Sequence, residues 1–284
     1  MGRWIRVIMA VVTVGLIGFG MVRQLDSGAA PRTQSPAVTD FNPPVLQPES
    51  AAEAPSALAY SARGDGPLVV VPQHSGIVSA LDTGDFTIWG HEPLLRNNIL
   101  LTIDDCIYET KTRRMFNLIR DEGLTATFFP NTEYMLKHDP KLWREIVAAG
   151  FEIGYHTRHH RAHMQVAELN QDFLLFQTEV RAVLGDPTYI IHYVRPPYGK
   201  WDSEWMAWAK QNELYTVRWN IVPPVDMTYI RSILKSAHGG GIILLHAKDR
   251  DIAWLEEYLD DLVALRDGLG QPYRLVSLTD ALRD

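Results

Sequence analysis

Asp104 and Asp105 stand side by side at the end of the apolar run Leu101-Thr102-Ile103, and adjacent carboxylates leaving a strand point in different directions. One can ligate a cation while its neighbour takes protons. Further along, His156-Thr157-Arg158-His159-His160 sets two imidazoles four residues apart, a spacing at which both face the same way on a helical turn and can grip one ion. Two histidines with one carboxylate leave coordination positions open for water, and a cation so held turns water into a nucleophile near neutral pH. That is hydrolytic chemistry. Competing readings stand beside it: the two aspartates could cap the following helix, His159 and His163 share the same spacing, and the tract could be a solvated basic loop.

From Ile99 onward, short apolar runs alternate with longer stretches of helical spacing, the signature of a β/α domain. The runs predict seven strands: Ile99 to Ile103, Ala126 to Pro130, Phe151 to Gly154, Ile190 to Val194, Tyr215 to Arg218, Ile242 to Leu245 and Tyr273 to Val276. Between them the period is 3.6, as in Leu169, Phe173, Phe176, Val180 and Leu184. The fold class expected is α/β, a distorted (β/α) barrel of about seven parallel strands. On that frame the unusual polar residues follow strands: Asp104 and Asp105 the first, His156 the third, Arg195 the fourth, Trp219 the fifth and His246 the sixth. C-terminal strand ends converge on one face, where β/α barrels build their sites.

These motifs, in this order, resemble the polysaccharide deacetylases that share the NodB homology domain, carbohydrate esterase family 4, over roughly Ile99 to Leu282. Thr102-Ile103-Asp104-Asp105 is similar to that family's Thr-Phe-Asp-Asp element, and His156-Thr157-Arg158-His159-His160 to its His-Ser/Thr-x-x-His element. Arg195-Pro196-Pro197-Tyr198, followed by Gly199, resembles Arg-x-Pro-Tyr, and Leu244-Leu245-His246 resembles Leu-x-His. The resemblance implies a divalent metal, zinc or else cobalt, nickel or manganese, on Asp105, His156 and His160. It implies Asp104 as general base, His246 as the acid that protonates the departing amine, and the Tyr198 backbone amide as an oxyanion donor. Arg195 would hold Asp104 in place, and Leu244 would line the acetyl-methyl pocket. The activity implied is removal of N-acetyl groups from an N-acetylglucosamine-containing polysaccharide. An O-acetyl ester substrate, or a glycan-binding pseudoenzyme, are the alternatives.

Two positions depart from the family pattern. Cys106 stands where glycine usually follows the acidic pair, putting a thiol close to the expected metal. The fourth motif, Asp-x-x-Asp-Trp, is missing; the stretch reads Trp219-Asn220-Ile221-Val222-Pro223-Pro224-Val225-Asp226-Met227. The partner of Arg195 is then expected from Asn220 or Asp226, and the sugar-binding wall from Trp219 or Trp201. Trp205 and Trp208 read as helix packing.

The whole chain of 284 residues, 46% hydrophobic and 21% charged, can bury a full core. A net charge of -7 without a basic cluster excludes the electrostatic footprint of nucleic-acid binding. One cysteine forbids an intrachain disulfide. Arg3 and Arg6 precede the apolar run Val7 to Val22, interrupted only by Thr13. That segment, residues 1–26, predicts a membrane anchor with the remainder outside the cytoplasm, or a signal peptide cleaved near Gly28-Ala29-Ala30, which would leave the protein secreted. Residues 27–63, rich in Pro, Ala, Ser, Thr and Gln, read as a flexible linker. Residues 64–98 read as a small extension packed on the barrel, with a hairpin formed by Leu68 to Val71 and Phe86 to Trp89, and 99–284 as the catalytic domain.

Overall fold

The structure, a computed structural model, describes residues 86–89, 95, 97–235, 240–267 and 273–282. The expected membrane segment, the linker and the run Leu68 to Val71 lie outside the described residues. Among the described residues no helix is long and apolar enough to cross a membrane.

The described residues form eight strands: β1 (Thr87–Ile88), β2 (Asn98–Asp105), β3 (Thr127–Pro130), β4 (Glu152–Ile153), β5 (Tyr193–Val194), β6 (Tyr215–Val217), β7 (Gly241–His246) and β8 (Arg274–Leu275). All pairings are parallel. One sheet runs β4-β3-β2-β7 with β8 on β2, the other β1-β6-β5. The two sheets meet at single bridges, Tyr155 to Val194 and Ile221 to Ile243. A ring β2-β3-β4-β5-β6-β7 results, with β1 and β8 as extra partners of β6 and β2. Phe86 to Trp89, expected in a hairpin, instead supplies β1, whose Thr87 and Ile88 pair with Thr216 and Val217.

Parallel strands demand crossovers, and α1 (Glu109–Asp121), α2 (Thr132–Met135), α3 (Pro140–Ala148), α4 (Val166–Leu184), α5 (Ser203–Gln211), α6 (Met227–Leu234), α7 (Asp249–Arg266) and α8 (Leu278–Ala281) supply the helices between and after them. The α4 stripe Leu169, Phe173, Phe176 and Val180 is buried, as its period demands. β2 is buried on both faces, which is why it reads as a nearly unbroken apolar run. Ile99, Leu101 and Ile103 join the larger core cluster, which also holds helix residues such as Met115 and Ile119; Leu100 joins Phe129, Tyr193, Tyr215 and Ile242 in a second cluster. Thr102 and Asp104 follow Leu100 on this second face by the two-residue period of a strand. The polar site therefore grows from the end of an apolar column.

Candidate active site

β2 aligns Thr102 with Leu244 and Asp104 with His246 on β7, so the first and last sequence-predicted elements of the site share adjacent rungs. Alternation would send Asp105 to the opposite face. It does not go there, because Asp105 (φ 68) and Cys106 (φ 55) adopt left-handed backbone and turn the chain at once, with Cys106 N donating to the Asp104 carbonyl at 2.9 Å. Both carboxylates thus reach one imidazole: His156 Nε2 lies 3.7 Å from Asp104 Oδ2 and 3.6 Å from Asp105 Oδ1. Left-handed backbone costs a non-glycine residue roughly 1–2 kcal/mol. Of the eight such residues among those described, six (Asp105, Cys106, Thr157, His160, His163 and Tyr198) are on the loops around the site, a clustering expected where strain is retained for function.

The histidine pair is held differently from the helical turn its spacing suggests. His156 to Met164 is irregular loop, and Thr157 (φ 60) and His160 (φ 52) fold it back so that the two imidazole centroids lie 5.0 Å apart. Asn131, at the end of β3, braces the loop by donating to the carbonyls of His156 and Thr157, while its own amide donates to the Asp105 carbonyl. His160 Nε2 is 3.3 Å from Asp105 Oδ1. Asp105, His156 and His160 bring one donor atom each within 4.8 Å of the others. His159 turns away to Glu133 at 2.8 Å and His163 to Asp202 at 3.1 Å, so the alternative pair has no common focus. Helix capping is excluded too: the N-cap of α1 is Tyr108, with no side-chain cap.

The donor chemistry suits a cation. His156 Nδ1 is 2.7 Å from the Arg195 carbonyl, which can only accept, so Nδ1 carries a proton and Nε2 is the ring nitrogen left to ligate. That Nε2 and Asp105 Oδ1 are buried without a hydrogen-bond partner. Orphaned buried polar atoms are costly, and these two converge. Burial works to raise the Asp105 carboxyl, but His156, His160 and His246 hold it well below the usual carboxylate range. Burial, then His156, push His160 down, favouring neutral imidazole. Lys248 Nζ touches the other Asp105 oxygen, Oδ2, at 3.3 Å. Cys106 is not among the gathered donors: its side chain packs in the main core, and burial with the neighbouring carboxylates pushes its thiol far up.

Arg195, wholly buried, reaches Asp104 Oδ1 at 2.7 Å and Thr102 Oγ1 at 2.9 Å through one nitrogen. Neither Asn220 nor Asp226 holds it. Its remaining donors go to the carbonyls of Val217 (3.0 Å) and Arg218 (3.1 Å), and its Cζ lies 4.3 Å from the Phe129 ring centroid and 5.4 Å from that of Trp219. Asn220 instead ties β7, accepting from the Ile242 amide, and Asp226 caps α6. His246 finds its partner on α7: Asp251 Oδ2 accepts from the His246 amide at 2.7 Å and lies 3.3 Å from Nδ1. Burial would raise that carboxyl, yet His246 and Arg250 hold it low. Leu244 lies one strand period before His246 and is buried. Tyr198 (φ 56) is 71% exposed, its ring 4.4 Å from His160. Trp205 and Trp208 are buried in α5, while Trp201 and Trp219 are half-buried beside the Tyr198 loop.

Thr102, Asn131, Lys248 and Asp251 were not singled out as site residues from sequence. Asp251 carried the only usable signal, an acid five residues after the histidine, but an acid in the first helical turn reads as a dipole partner.

The polysaccharide deacetylase family model matches residues 91–217. The peptidoglycan-N-acetylmuramic acid deacetylase of Bacillus subtilis is 30% identical over 195 residues, covering 65% of this chain and 71% of the relative. The chain belongs to the polysaccharide deacetylase family. A chitooligosaccharide deacetylase of Bradyrhizobium sp. (strain ANU 289) is 28% identical over 156 residues, 52% of this chain and 70% of the relative. A family 4 carbohydrate esterase from Bacillus anthracis has the same fold, with a TM-score of 0.56 at 24% identity over 72% of this chain and 93% of that one. The family-model match ends at Val217, before Trp219, His246 and Asp251.

Proposed function

We propose that the protein is a metal-dependent hydrolase that removes N-acetyl groups from a cell-surface or extracellular polysaccharide containing N-acetylglucosamine, of the chito-oligosaccharide or peptidoglycan type. The carrying observation is the convergence of two orphaned buried atoms, His156 Nε2 and Asp105 Oδ1, with His160 beside a second carboxylate and a separate histidine. Asp105, His156 and His160 would hold the divalent cation, zinc by its donor set. Bound there it would lower the pKa of water and polarise the acetyl carbonyl. Asp104 accepts from Arg195 through Oδ1 and keeps Oδ2 for the proton released as water attacks. His246, its Nδ1 proton engaged by Asp251, offers Nε2 to protonate the departing amine. The Tyr198 amide would steady the oxyanion, and Leu244 and Trp219 would contact the acetyl methyl and the sugar. The amino-terminal segment, as anchor or signal, would place this domain outside the cytoplasm beside such polymers.

The test is acetate release from N-acetylglucosamine oligomers by the full chain, with and without chelator, beside Asp104→Asn. Chelator-sensitive release lost in the variant is the expected outcome. Release from O-acetylated glycan alone would move the reaction to ester hydrolysis. Oligomer and metal bound without any release would make the protein a glycan-binding pseudoenzyme.

A further inference from the structure

Just past β6, where Arg195 is held by two carbonyls, stands a second arginine with no carboxylate of its own. Arg218 forms no ion pair among the described residues. One donor nitrogen reaches the Gly199 carbonyl at 2.9 Å, and its Nε is buried with no partner. The guanidinium lies 4.5 Å from the ring centroids of both Trp89 and Trp201, which meet edge to face at 4.6 Å, and 5.6 Å from Trp219. Burial, then the charge of Arg195, push its pKa down, so the protein pays in electrostatic energy to keep a cation here. Among the described residues, Asp202 and Asp226 on neighbouring loops are engaged as caps of α5 and α6. Asp104 is taken by Arg195.

The position adds meaning to the unspent charge. Gly199, whose carbonyl Arg218 holds, follows Tyr198, whose amide is proposed to steady the oxyanion. Trp89 comes from the end of β1, Trp201 from the loop after β5 and Trp219 from the end of β6, so the cluster forms on the face where the catalytic groups emerge. Indole faces suit sugar rings, and a planar guanidinium among them suits a carboxylate through two parallel hydrogen bonds. The whole chain, at -7, repels an anionic polymer, so recognition of one must be local.

We propose that Arg218, set among Trp89, Trp201 and Trp219, is a specificity subsite for a carboxylate-bearing sugar next to the N-acetyl residue being deacetylated. This deepens the reading of the same site as a polysaccharide deacetylase and rests on it. A neutral chitin-type chain has no group to spend on this cation, whereas a glycan carrying an acidic substituent on alternate sugars does.

The test is calorimetric affinity, which needs no turnover. Two oligosaccharides of equal length are titrated into the full chain, one bearing a free carboxylate on the sugar adjacent to N-acetylglucosamine and one with that carboxylate converted to its amide. The wild type should bind the free acid about tenfold more tightly, with the preference shrinking as salt rises. Arg218→Gln should erase the difference, and Arg218→Lys, which keeps charge but not the fork, should retain part of it. Equal wild-type affinities, or a preference that survives Arg218→Gln, overturn the subsite. Circular dichroism of both variants excludes unfolding as the cause. Acetate release is read separately: its absence with the binding preference intact rejects the hydrolase reading and leaves the subsite standing.

Discussion

Asp104 and His246, paired across β2 and β7, each depend on one buried neighbour for orientation. Arg195 does this for Asp104 and Asp251 for His246, and Arg195 keeps its place without the fourth family motif. Arg195 is satisfied by backbone carbonyls and Thr102, which leaves its one charged bond for Asp104. Asp251 is wholly buried and binds both the amide and the ring of His246, while Arg250 takes its other oxygen. A carboxylate on Nδ1 fixes the tautomer that leaves Nε2 free to exchange a proton, as in other histidine acid–base pairs. Asp251→Asn keeps the shape and removes that preference. Its kcat on N-acetylated oligomers should fall on the order of 10²-fold, with KM and bound metal little changed. A raised KM at constant kcat would instead make Asp251 a substrate-binding group.

At the scale of elements, the site depends on where β4 hands over to β5 through the single bridge between Tyr155 and Val194. Gly154 makes that seam close: a Cβ there would stand 2.3 Å from the Phe129 ring and 3.0 Å from the Tyr193 carbonyl. Phe129 in turn floors the Arg195 guanidinium. Gly154→Ala should therefore destabilise the fold by about 1–3 kcal/mol in urea unfolding and lower activity as Arg195 shifts. Unchanged stability would show that Phe129 has room to move. The same seam separates what could be read from sequence from what could not. The strands after Ile99 were legible because two-sided burial demands apolar runs, and the carboxylate pair was legible at their ends. The loop that joins His156 to His160 was not, because left-handed residues such as Thr157 and His160 carry no type signature when they are not glycine. The holders of Arg195 were hidden for a similar reason. A carbonyl acceptor such as Val217 O belongs to every residue, so no motif can announce it.

At the scale of the whole molecule, the three candidate metal donors come from separate parts of the chain: Asp105 ends β2, and His156 and His160 lie between β4 and α4. Unfolding separates them, so an ion that binds the folded arrangement alone must stabilise the whole domain. At a free concentration a hundredfold above its dissociation constant the gain is about 2.7 kcal/mol, which in a domain of this size raises Tm by roughly 5–10 °C. Thermal unfolding of the chelated protein should therefore shift upward on adding zinc, and His160→Ala should shorten the shift. The gain also has a pH signature. Neutral His160 is favoured in the fold because burial and His156 push its pKa below the free value. A group with a lowered folded pKa contributes stability that is fully present above its unfolded pKa, about 6.5, and is lost as pH falls through the folded value. Protonated imidazole is no ligand. The zinc-induced shift should accordingly be full near pH 7.5 and fade as the solution is acidified below about 6. A Tm that ignores zinc at every pH would mean that these three side chains, though gathered, do not form a metal centre.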